Sequence, residues 1–312
     1  MKAHWLLPAG ALVGAGLLGE LGSIYRRSFQ ARPGAVPPPE AIPDEPKRAF
    51  YRSAMLENIA LMRSLPYEPV QVVHDGLSLA GNLYPGQPGK PVLLLFHGFR
   101  SSALRDCAGV FPLFRSMGWG ILLIDQRGHG GSDGKSITLG VRERYDALAW
   151  ARYAAERFGP DTPLVLMGIS MGGATVLMAS DLPLPPSVRG IIADCGFSSP
   201  REMILWELES AGKPRALYPL VRLSAKLFAG FDPESAAAED ALARTNLPVL
   251  LIHGETDRYV PCAMSRKNFS ACGSAVKELV VIPDAGHGLS VYRDPETYRR
   301  AVTDFCRKIL SS

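Results

Sequence analysis

The chain has 312 residues, 47% of them hydrophobic and 21% charged, with a formal net charge of +4. That length and apolar content allow one large core, while the mild charge, without a dense Lys/Arg run, excludes a phosphate-tracking surface for nucleic acid. The five cysteines, at 107, 195, 262, 272 and 306, form an odd set with no Cys-x-x-Cys pair and no zinc spacing, and are expected as reduced, mostly buried thiols.

Residues 1–30 read as a membrane-directed segment. No full charge interrupts Ala3 to Gly19; Lys2 precedes this stretch, and Arg26, Arg27 and Arg32 follow it. Its length falls between a signal-peptide core and the roughly 20 residues of a membrane span. Because no small-x-small cleavage site follows, the expectation is an uncleaved N-terminal anchor, with Glu20 near the end of a transmembrane helix. The downstream arginines put the body on the cytoplasmic side by the positive-inside tendency. Residues 31–46, with the run RPGAVPPPEAIPDEP, predict an extended spacer without a core of its own. Lys47 to Ser64 reads as a helix, with Phe50, Ala54, Ile59 and Met62 near helical spacing.

Beyond Tyr67, short Val/Leu/Ile runs alternate with longer amphipathic stretches, the signature of a mostly parallel sheet flanked by helices, so residues 47–312 read as one α/β domain. Val70–His74 and Leu77–Tyr84, joined at Asp75-Gly76, predict an antiparallel hairpin. Buried strands follow at Val92–Phe96, Gly120–Asp125, Leu164–Ile169, Val188–Asp194, Val249–His253 and Lys277–Ile282. Helices are predicted at Ala103–Met117, Leu139–Phe158, Met171–Ser180, Cys262–Ala271 and Pro295–Ile309. About fifty residues separate Asp194 from Val249, and the broken apolar patterns there predict a small helical cap at about 197–245, over the rim where such sheets bind ligands.

Gly168-Ile169-Ser170-Met171-Gly172 matches G-x-S-x-G between a predicted strand and a predicted helix, where a tight turn would project Ser170 Oγ above the sheet. The Met171 amide, at the helix N-terminus, is suited to the negative oxygen of a tetrahedral intermediate. Phe99 N–H, in the His97-Gly98-Phe99-Arg100 turn, is the candidate second donor. Among six histidines, His4 falls in the anchor, His74 on the hairpin, and His97, His129 and His253 in turns. His287, in the loop after the last strand, remains as the base that takes the serine proton. Asp257, after the penultimate strand, is the candidate that orients it, with Glu255 as competitor.

Residues 70–310 resemble the α/β-hydrolase superfamily, through HGF at 97–99, DQRGHGGSDG at 125–134, GISMGG at 168–173, HGETDRYVP at 253–261 and AGHG at 285–288. The order Ser, Asp, His is the order of that fold. The N-terminal segment and IADCGFSSP at 192–200 are similar to membrane-anchored bacterial members described only as hydrolases. The resemblance implies ester, thioester, amide or lipid substrates, no metal and no organic cofactor, with Asp125, Arg127 and His129 as structural residues. The expected function is a serine esterase acting through an acyl-enzyme on lipophilic acyl groups. An aminopeptidase on the same triad, using Glu202, Glu207 or Glu209 to hold a substrate amine, is the alternative, and an inactive membrane-tethered binding protein is a third.

Overall fold

The computed structural model describes residues 6–32, 34, 36–42 and 49–311. The expectations for residues 1–5 and for 43–48, which include His4 and the start of the first predicted domain helix, fall outside these. In chain order the elements are α1 (Leu6–Ser28), α2 (Ala49–Ser64), β1 (Glu68–His74), β2 (Leu77–Tyr84), β3 (Val92–Phe96), α3 (Ala103–Asp106), α4 (Phe111–Ser116), β4 (Gly120–Ile124), α5 (Glu143–Phe158), β5 (Leu164–Ile169), α6 (Met171–Met178), β6 (Val188–Asp194), α7 (Pro200–Ser210), α8 (Tyr218–Ser224), α9 (Ala238–Arg244), β7 (Val249–Gly254), α10 (Cys262–Ala271), β8 (Lys277–Ile282), α11 (Ser290–Arg293) and α12 (Pro295–Leu310).

The eight strands form one sheet in the order β1-β2-β4-β3-β5-β6-β7-β8. β1 and β2 run antiparallel, β2 pairs antiparallel with β4, and the remaining pairings are parallel. The hairpin turns at Asp75 and Gly76 with φ of 53° and 71°, the left-handed pair that a two-residue connection needs. Central strands β3, β4, β5 and β7 are buried at every residue, because helices cover both faces of the sheet. Alternation along β3 divides the core. Leu94 and Phe96 pack with Trp150 and Val176 on one face, and Leu93 and Leu95 with Phe111, Phe114 and Phe305 on the other. The predicted helix over 103–117 is two short pieces, α3 and α4, and α11 is an element the periodicity did not reveal.

In the interval between β6 and β7, Ser199 caps α7 by accepting from the Glu202 amide, and Pro200 occupies the first turn. α7, a turn at 215–217, α8 and a π-type turn at 225–229 form the cap, whereas α9 packs back on α6.

The N-terminal expectation needs correction. Among the described residues no helix is long and apolar enough to cross a membrane. Glycines at 10, 14, 16, 19 and 22 dilute the hydropathy of α1, and Glu20, Arg26 and Arg27 charge its second half. That half instead binds the cap and the 135–137 loop. Leu21 is buried and its carbonyl accepts from Ser224 Oγ at 2.7 Å; Tyr25 stacks on Phe228 and donates to the Lys135 carbonyl. Phe29 is buried edge-on to Phe231, and its carbonyl accepts from the Ile137 amide at 2.7 Å. The described part of the Pro-rich segment likewise lies on the body, with Ile42 buried and its carbonyl accepting from Arg52 Nε.

Candidate active site

Ser170 occupies the turn between β5 and α6 with φ 58° and ψ −119°, a conformation that costs a non-glycine residue about 1–3 kcal/mol. The surrounding structure holds it there: the Ser170 amide donates to the Asp194 carbonyl at 2.8 Å, and every residue of α6 is buried. Glycine is required on either side. A Cβ on Gly168 would overlap the Gly172 backbone, and one on Gly172 would overlap the Phe96 carbonyl.

His287 Nε2 lies 2.8 Å from Ser170 Oγ, and its Nδ1 lies 2.7 Å from Asp257 Oδ2. The second Asp257 oxygen accepts from the amides of Tyr259 and Val260, at 2.8 and 2.9 Å. His253, wholly buried, is 3.3 Å from Asp257 Oδ2 and is held by Ser265 Oγ and the Val260 carbonyl. Burial would raise the Asp257 pKa, but the bonds from His253 and His287, the His287 charge and the Val260 amide together hold it well below the carboxylate range. Burial conversely disfavours the charged His287, yet the bond and charge of Asp257, with the charges of Asp106 and Asp194, hold its pKa above the ordinary histidine value. Glu255 is exposed and apart from this chain of bonds. With Nδ1–H donated to Asp257, Nε2 is free to accept a proton from Ser170.

The loop after β3 approaches closely enough that a Cβ on Gly98 would come within 3.2 Å of Ser170 Cβ. Its neighbouring amides are engaged: Gly98 N–H donates to Asp106 Oδ2 at 2.7 Å and Arg100 N–H to His129 Nε2 at 2.9 Å. His129 is kept neutral, since burial above all, then His97, lowers its pKa to about 3. His97 accepts from the Gln126 amide and bonds the Gly98 carbonyl. Between these fixed points the Phe99 amide makes no hydrogen bond to a described residue, nor does the Met171 amide at the start of α6. Both residues line the same cavity as Ser170.

The rest of the DQRGHG segment supports this loop from behind. Arg127 forms a two-pronged pair with Asp146 at 2.6 and 2.7 Å, and Asp125 accepts from the Gly131 amide. Beneath His287, Asp194 accepts from Tyr298 Oη at 2.9 Å, and burial raises its pKa to about 6. All five cysteines are free and four are buried. Cys195, Asp257 and His287 could offer three metal-ligand atoms within 4.8 Å of one another, although His287 Nδ1 and Asp257 Oδ2 already bond one another at 2.7 Å.

Two cavities meet at Ser170. One, of about 600 Å³, lies under the cap and is lined largely by apolar side chains, among them Leu139, Phe197, Met203, Ile204 and Val221. Arg27, Ser28 and Phe29 of the N-terminal segment complete its wall, a contribution no sequence signal connected to the site. The other, of about 590 Å³, opens on the opposite side of Ser170 beside Arg100, Arg105, Arg258 and Tyr259, which the sequence reading also missed. Of the three glutamates considered for binding an amine, Glu202 pairs with Lys267 and Ser198, and Glu209 pairs with Arg215. Only Glu207 faces the first cavity, and burial raises its pKa.

The profile of the alpha/beta hydrolase family matches residues 92–301. The uncharacterized protein YqkD of Bacillus subtilis (strain 168) is 25% identical over 215 residues, 68% of this chain and 70% of its own length. The uncharacterized protein YfhR of Escherichia coli (strain K12) is 26% identical over 247 residues, 76% of this chain and 79% of its own. The solved structure of the Pyrococcus furiosus esterase Pf2001 aligns with a TM-score of 0.64 at 21% identity, over 88% of this chain and 98% of that one, a likeness of fold.

Proposed function

The chain belongs to the alpha/beta hydrolase family, and on that premise we propose that it is a serine hydrolase that cleaves carboxylic esters of lipophilic acyl groups through an acyl-enzyme. The observation that carries this reading is the unbroken line Asp257–His287–Ser170, at 2.7 and 2.8 Å. Ser170 Oγ attacks the carbonyl carbon as His287 Nε2 takes its proton. The carbonyl oxygen becomes an oxyanion facing the Phe99 and Met171 amides, whose freedom from other bonds suits them to it. Collapse expels the alcohol, which receives the proton from His287, and water repeats the sequence on the acyl-enzyme. Asp257, ionised throughout, fixes the imidazole tautomer and stabilises the imidazolium.

The apolar lining of the cavity under the cap supports a lipophilic acyl group. The aminopeptidase reading is less well supported, because among the described residues Glu207 is the single carboxylate lining that cavity, alongside Arg27, Arg100 and Lys213. Fluorophosphonate labelling of the protein and its Ser170→Ala variant, followed by an ester chain-length series, tests the proposal. Labelling that persists in the variant, or aminoacyl amides cleaved faster than esters, would overturn it.

Membrane association enters the same proposal in a changed form. Leu17, Leu18, Leu227 and Phe228 are 48, 56, 57 and 42% exposed where α1 meets the cap, with Arg26 nearby in sequence. Such a surface suits a helix lying in a lipid interface, not one spanning it. Co-sedimentation with anionic vesicles should be lost in a Leu227→Glu/Phe228→Glu variant.

A further inference from the structure

Elsewhere in the described residues, arginines near carboxylates pair with them: Arg127 with Asp146, Arg222 with Asp232, Arg244 with Asp181 and Arg157 with Glu68. The cavity on the far side of Ser170 from the cap is lined by arginines outside any such pair. Arg100, which also borders the cavity under the cap, Arg105 and Arg258 line it, and none forms an ion pair with a described residue. Arg100 is held by the Gln30 carbonyl at 3.1 Å and lies over the Phe99 ring, while its buried Nε has no hydrogen-bond partner. Burial, then the like charge of Arg32, lowers its pKa, the mark of a cation without a counter-charge. Among the described residues Asp106 is the one carboxylate lining this cavity, and both its oxygens are engaged, Oδ2 by the Gly98 amide and Oδ1 by Ser101 Oγ at 2.6 Å. Three arginines against one committed carboxylate among the described residues line this side of the serine, and Arg105 and Arg258 belong to it alone.

With the acyl chain under the cap, the group that departs from the carbonyl occupies this second cavity. We infer that the alcohol or thiol released by the enzyme carries a phosphate, bound by Arg100, Arg105 and Arg258, so that the substrates are acyl esters or thioesters of phosphorylated leaving groups. Guanidinium suits this task because its planar donors match phosphate oxygens in pairs. No step is added to the acyl transfer: the same C–O or C–S bond breaks, and the proton from His287 still goes to the leaving oxygen or sulfur.

This inference rests on the serine-hydrolase reading, and the test keeps the two apart. Octanoyl esters of glycerol 3-phosphate and of glycerol, and octanoyl thioesters of pantetheine with and without its 4′-phosphate, would be compared on the full-length protein. The phosphate should raise kcat/KM by about tenfold or more in at least one pair, and which pair responds identifies the oxygen or sulfur leaving group. An Arg105→Gln/Arg258→Gln variant should lose most of that ratio, and raised ionic strength should reduce it in the parent protein. Equal or faster turnover of the phosphate-free member in both pairs, in a protein labelled by fluorophosphonate, would overturn the inference and leave the hydrolase reading standing. Turnover of none of the four, without labelling, would overturn both.

Discussion

Below Ser170 the site rests on the ends of β5, β6 and β7, joined by backbone hydrogen bonds in fixed register; above it, α1 and the cap are held chiefly by side-chain packing and a few bonds such as Ser224 to Leu21. In the floor, the Ser170 turn is locked by two glycines that admit no Cβ, and Asp257 by two amides. In the roof, Gly212 has a φ of 66° and open space around it, and Leu227 and Phe228 face solvent. Substitutions in the floor should therefore act on the chemistry in an all-or-none way, and those in the roof on which substrates bind.

The largest expected effect is in the floor. Ser170→Ala should reduce kcat by about 10⁶-fold, the scale of losing a triad nucleophile, with thermal stability unchanged or slightly raised as a strained hydroxyl-bearing turn keeps its backbone. Asp257→Asn should follow at roughly 10⁴-fold in kcat, as the same change does in serine-protease triads. Glu255→Gln, on an exposed side chain, should leave kcat within about twofold. A reversed ranking of Asp257 and Glu255 would reassign the orienting carboxylate and break the contrast at its root.

Next comes the pH profile. In the proposed mechanism His287 must be neutral to take the Ser170 proton, so kcat/KM should fall as pH falls through its pKa. Asp257, Asp106 and Asp194 hold that pKa above the ordinary value of about 6.5, so the acid limb should lie above about 6.5, and Asp257→Asn should move it down. By linkage, the ion-pair stabilisation is present below the unfolded-state pKa of His287 and is lost as pH rises through the folded one. A limb at or below 6.5 in the parent protein would mean that a different group carries the proton.

The floor was legible in the sequence because its signals are local. The eight strands, the G-x-S-x-G turn and the loops carrying Asp257 and His287 each follow from a short run of residues, and they fall where apolar runs and turn residues predict. The roof was not. The contacts of Leu21 with Ser224, Phe29 with Phe231 and Arg100 with Gln30 join residues far apart in the chain, and no periodicity encodes them. The apolar N-terminal run read as a membrane anchor because burial against a cap and burial in lipid call for the same side chains. The unpaired arginines beside Ser170 were equally hidden, since the absence of a partner is a property of three dimensions.

Stability separates the two regions as well. Gly172→Ala should destabilise by on the order of 3 kcal/mol, because the new Cβ meets the Phe96 backbone and neither side can give way. Gly212→Ala, strained by its φ of 66° but not crowded, should cost about 1 kcal/mol. Comparable melting temperatures for the two variants would show that the turn at Ser170 is more yielding than its packing suggests.

The smallest effect on short substrates, and the one most specific to the roof, belongs to Leu21→Ala. Leu21 is 1% exposed and fixes α1 on the cap about two turns before Arg27, Ser28 and Phe29 reach the cavity wall. Truncating a buried leucine costs about 2–5 kcal/mol where the gap cannot close, but α1 can shift outward, so the lower end applies and local opening replaces global unfolding. The triad does not touch α1, so turnover of an acetyl or butyryl ester should stay within about twofold. A dodecanoyl ester, long enough to lie along the wall that α1 completes, should lose several-fold in kcat/KM, mostly through KM, since wall contacts present equally in ground and transition states are uniform binding. Equal losses on short and long chains would mean that α1 supports the floor as well, and that the two regions form one mechanical unit.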